Sequence, residues 1–169
     1  NGGAGRVVCS IPALELFAKE NPDNDFIIVC EGGTDFYKGH PLLHAKAYDV
    51  WHKNLFEDKL KNMELSSPEP YRVWEYYNQQ ANLSQAYDIE INNKGVRDLP
   101  KPTIKLSKQE KMSAANVVKE VKEKTKKDKA IVFQPFGRGV INEDTMITDF
   151  SGRSFEPETV VNLVKELSK

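Results

Sequence analysis

Apolar positions along the chain alternate between helical spacing and short unbroken runs. Over residues 7–20, Val7, Leu14, Phe17 and Ala18 share a face with Ser10, which predicts an amphipathic helix. Pro12 fits that helix if regular hydrogen bonding starts near Ser10, with its hydroxyl as N-cap. Asn21-Pro22-Asp23-Asn24 ends it. Residues 26–30 are continuously apolar and mostly β-branched, which predicts a strand buried on both faces in a parallel sheet. Residues 48–52 predict a second short strand and 55–62 a short helix. After the break at Ser66-Ser67-Pro68, residues 71–86 predict a longer helix carrying Val73, Trp74, Tyr77, Ala81 and Leu83.

Residues 88–101 are polar and read as a loop with a turn at 92–95, and 101–106 as an extended segment. Ser107 and Glu110 have the spacing of a capping box, opening a helix to about Lys124 with Ala114, Val117, Val118 and Val121 on one face. Residues 130–133 predict another buried strand. A last helix opens at Glu156-Pro157, with proline at its first position, and presents Val160, Leu163, Val164 and Leu167. The order of these elements predicts an α/β fold.

Composition narrows the function classes. The 169 residues suffice for one domain, or one and part of another. The net charge of −1 gives no basic field for nucleic acid or an anionic membrane. The lysine run over 122–129 reads as a solvated helix end leading into a linker. No apolar run approaches the ~20 residues of a membrane-spanning helix, and no signal peptide is visible, so the expected location is cytoplasmic. Cys9 and Cys30, both in apolar runs, read as free thiols of a reducing compartment. His40 and His44 have helical i, i+4 spacing, but Pro41 between them and the lack of further ligands argue against a metal. No cofactor is expected.

The chemistry concentrates at a few places. Gly2, Gly3 and Gly5 open the chain just before the first helix, whose N-terminal N–H groups suit an anion. Glu31 and Asp35 follow the first strand at its C-terminal end, the edge where open α/β sheets bind ligands. Tyr71, Trp74, Tyr76 and Tyr77 form an aromatic cluster read as helix packing, with a sugar platform as the alternative. Gly137, Arg138 and Arg153 lie in loops after the strand predicted at 130–133, where a guanidinium can fork onto a phosphate.

The run Gly3-x-Gly5-Arg-Val-Val-x-Ser-Ile-Pro-Ala-Leu14, ending at Asn21-Pro22, resembles the N-terminal motif of the heptosyltransferase-like glycosyltransferases, glycosyltransferase family 9. Pro102-x-Ile-x-Leu-Ser-x-x-Glu110 resembles the end of that family's N-terminal domain. The stretch from residue 130 to Pro157 resembles the start of its C-terminal domain. The resemblance implies a two-domain GT-B enzyme that moves a sugar from a nucleotide-sugar donor to a glycan or lipopolysaccharide-type acceptor, with no metal. It implies a Rossmann-like acceptor-side domain over 1–127 and the beginning of a nucleotide-sugar-binding domain over 128–169. A lipid-linked acceptor would bring the protein close to a membrane surface. The chain lacks an initiator Met, the strand that precedes such a glycine loop and the family's later donor-binding elements, so a fragment is expected. The implied acceptor residues are Gly3, Gly5, Arg6, Arg72 and Tyr76, and the implied donor-phosphate residues Gly137, Arg138 and Arg153.

Sugar transfer needs a base for the acceptor hydroxyl and positive charge for the leaving diphosphate. Where the family has its catalytic Asp, this chain has Arg6, which at a pKa above ~12 is no base at neutral pH. Three readings follow: Asp35 or Glu31 takes the role, transfer activity is lost, or Arg6 holds an anionic acceptor. The rival to an enzyme is a GT-B-like binding or scaffold protein.

Overall fold

In a computed structural model, residues 3–137, 139–143, 146–150 and 152–168 are described. The chain divides into two compact units, Asn1–Lys111 and Met112–Lys169.

The first unit is built around α1 (Ala4–Glu20). This helix starts before the expected position, with Gly3 as N-cap. Ser10 is therefore not a cap. Its hydroxyl donates to the Val7 carbonyl at 2.8 Å and lies 3.4 Å from the Tyr37 hydroxyl. Pro12 sits in the helix interior and is buried, so a missing backbone donor is accepted in exchange for packing. Val7 and Ile11 form a core with Cys30, Tyr37 and Leu43, and Leu14, Ala18, Phe26 and Ile28 close around it.

The strands β1 (Ile28–Cys30) and β2 (Ala47–Asp49) pair in parallel, Ile28 with Ala47 and Cys30 with Asp49. The expectation of a strand buried on both faces fails. Cys30 and Ile28 face the core with α1, whereas Val29, on the opposite face of the pleat, is exposed. Parallel pairing is as expected, and it places the chain exits at Glu31 and Val50 on one edge.

A π-helical turn covers Phe56–Leu60 in place of the short helix expected there. The long helix expected over 71–86 is interrupted. A 3-10 turn, Pro70–Arg72, leads into α2 (Trp74–Tyr77), Gln79 takes a left-handed φ of 61°, and the chain restarts as α3 (Leu83–Asn92). The Asn82 side chain accepts from the Gln85 N–H while Gln85 reaches back to the Asn82 N–H, a complete capping box. Residues 88–92, expected as loop, are thus helical.

Helix α3 lies along α1. The buried Asp88 carboxylate receives Arg97 Nε and Nη2 and Asn92 Nδ2, and Arg97 also reaches Glu20 at 2.7 Å. Asn92 Nδ2 donates as well to the Ala13 carbonyl of α1 at 3.0 Å. A second buried polar knot ties α1 to later chain. Leu42 and Leu43 N–H groups both donate to His40 Nδ1, which leaves Nε2 to carry the proton and donate to Glu15 at 2.8 Å. The Thr103 N–H donates to the same Glu15 oxygen at 3.2 Å.

Helix α4 (Lys108–Thr125) opens as expected: the Glu110 N–H donates to Ser107 Oγ at 3.2 Å and the Ser107 N–H to Glu110 at 2.7 Å. The division between the two units falls inside this helix. In the second unit, residues 130–133 form no strand, and Val132 is 97% exposed. No strand among the described residues pairs with them, and an unpaired extended run gains no ladder hydrogen bonds. The strands there are β3 (Val140–Glu143) and β4 (Met146–Asp149), an antiparallel pair in a stretch whose pattern predicts no element. Helix α5 (Pro157–Leu167) starts on its proline as expected. The observed architecture is mixed helix and strand, with a small parallel and a small antiparallel sheet.

Candidate functional site

The sequence-derived acceptor residues and the two candidate bases lie in the first unit and form two separate groups. Gly3 and Gly5 are exposed at the start of α1, and open space surrounds the position of a Cβ at each. Neither adopts a positive φ, so the start of α1 is ordinary helix entry. Arg6, one turn in, is half-buried. Its Nε donates to the Tyr87 hydroxyl of α3 at 3.1 Å, and its guanidinium stacks 5.2 Å from the Tyr71 ring centre. The Tyr87 hydrogen bond outweighs partial burial and raises the guanidinium's pKa, so the charge is secure. Tyr71 in turn meets Tyr76 edge to face at 5.7 Å. The structure thus brings Arg6 and Tyr76 together through Tyr71. Arg72 is exposed on the 3-10 turn beside them.

Tyr71 and Tyr87 are the partners that sequence reasoning missed. Tyr71 was within the aromatic cluster, but Tyr87 lies 81 residues from Arg6 and only the α1–α3 packing joins them. Beneath this group the buried Tyr37 phenol is pushed up to about 12, chiefly by burial.

The second group stands at the C-terminal edge of β1 and β2. Glu31 is exposed at the exit from β1. Asp35 lies on the 3-10 turn Thr34–Tyr37, where its carboxylate is ion-paired to Lys38 at 2.5 Å. Between the two exits stands Asp49. Its Oδ2 accepts from the Gly32 N–H at 3.1 Å and its Oδ1 from the Trp51 N–H at 2.9 Å. One carboxylate therefore joins both loops. Val50 N–H adds a bond to the Cys30 carbonyl at 3.0 Å. The loops border an open depression of about 400 Å³ lined by Val29, Cys30, Glu31, Val50 and Trp51, and Trp51 is 82% exposed. Burial, aided by the Asp49 charge, pushes the Cys30 thiol up, so it is a poor nucleophile.

In the second unit, Gly137 and Arg153 lie on segments that the fold joins. The Gly137 N–H donates to Ser154 Oγ at 3.0 Å, and the Phe155 N–H donates to the Pro135 carbonyl at 3.1 Å. Phe133 and Phe155 rings lie 6.1 Å apart. Arg153 is exposed, and its N–H donates to Asp149 at 2.9 Å. Arg138 lies outside the described residues. Also in this unit, Ala114, Ala115 and Val118 form an open, exposed apolar strip along α4.

Among the described residues no group of three His, Cys, Asp or Glu side chains could hold a metal ion. His40 is spent in its knot with Glu15, and His44 Nδ1 accepts the Gly39 N–H at 3.3 Å. Both cysteines are free. No helix among the described residues is long and apolar enough to cross a membrane. No family model matches the chain, and neither curated proteins nor solved structures give a match.

Proposed function

We propose that this chain belongs to a GT-B glycosyltransferase of the heptosyltransferase-like kind, transferring a sugar from a nucleotide-sugar to a glycan acceptor. In this reading the first unit is the Rossmann-like acceptor side and the second opens the donor side. The observation that carries it is the parallel pair β1–β2 with α1 packed on it. The loop bearing Glu31 leaves the same edge as the loop bearing Trp51. Ligands bind at that edge in open α/β sheets.

Glu31 is the base in this mechanism. It is exposed at the cleft, whereas the Asp35 carboxylate is engaged by Lys38. Glu31 takes the proton of the acceptor hydroxyl as its oxygen attacks the anomeric carbon, and the bond to the nucleoside diphosphate breaks. The second unit, taken by itself, carries the residues that the family resemblance implies for the donor phosphates, Gly137, Arg138 and Arg153. Arg6 stays charged and orients an acceptor rather than removing a proton.

One observation favours the second reading, a non-catalytic glycan- or nucleotide-binding protein. Arg6 at the family's Asp position is held in a packed Tyr87–Tyr71 setting, which needs no substrate to explain it. Nucleoside diphosphate release from a panel of nucleotide-sugars, measured on the full-length natural protein, separates the two. The transferase reading expects turnover that Glu31→Gln lowers by about a hundredfold or more. Absence of release with every donor, or turnover unchanged in Glu31→Gln, overturns it.

A further inference from the structure

We draw no further inference here: the strongest candidate, the exposed apolar face of α5 in the second unit, formed by Leu163, Val164 and Leu167, carries nothing because nothing in the structure shows what covers it.

Discussion

Single residues bear the structure's sharpest constraints. Gly33 has a φ of +78°, and a Cβ there would meet Val7 Cγ2 at 2.8 Å, within the core side of α1. Gly33→Ala therefore combines backbone strain with a steric clash, and it should cost about 1–3 kcal/mol in urea unfolding. A loss below about 0.5 kcal/mol would mean that Val7 moves aside freely. Glu15 is a different case. Burial pushes its carboxyl up, but the Thr103 hydroxyl, His40 and the Thr103 N–H together hold it below the usual carboxylate value. A depressed folded pKa gives stability that is full above the unfolded value of about 4.3 and lost as pH falls through the folded one. Wild type should exceed Glu15→Gln by about 1–3 kcal/mol at pH 7. The difference should shrink steadily below about pH 4. A gap that stays constant down to pH 2.5 would remove the carboxylate's charge from the account. Little of this was legible in the chain. Glu15 falls among the polar positions of an amphipathic helix, and only folding brings His40 and Thr103 onto it.

Elements were legible where their signals are local. The Ser107–Glu110 box and Pro157 at the start of α5 act within one turn, and both helices begin as read. The Asn82–Gln85 box carries the same kind of signal, and it would have split the helix expected over 71–86. Strand readings fared worse because a strand needs a partner. Residues 26–30 found one in β2, whereas 130–133 found none among the described residues. Helix strength should follow packing rather than local propensity. In α1 and α3, Ile11, Ala13 and Ala86 are fully buried, while every residue of α4 is exposed. Hydrogen exchange should thus reach α4 amides at least about tenfold sooner than those of α1 and α3. Ser107→Ala, losing about 1 kcal/mol of capping, should accelerate α4 alone. Equal protection in α1 and α4 would contradict this ranking.

At the scale of the whole chain, the buried residues of the described structure all lie in the first unit. Its core runs from Val7 through Cys30 and Tyr37 to Leu43, with the Asp88–Arg97 and Glu15–His40 knots on the other sides of α1. The candidate cleft belongs to that unit entirely, since Asp49 accepts from the Gly32 and Trp51 N–H groups and so joins the loop after β1 to the loop after β2. Its residue types were visible beforehand only in Glu31. Trp51 read as part of a strand, because the Asp49 turn that displays it depends on the parallel pairing. The lysine run over 122–129, read as a solvated helix end and linker, is exposed, and residues 126–132 lie outside regular structure. Trypsin needs an extended, accessible backbone, so its first cuts should follow Lys126, Lys127 and Lys129. The product that begins at the chain's start then retains the core intact, because every group that builds that core precedes the cut. It should unfold in one cooperative step with a midpoint close to that of the uncut protein, followed by circular dichroism. Early cleavage at Lys19 or Lys46 instead, or a product that melts without a transition, would mean that the first unit does not stand on its own core.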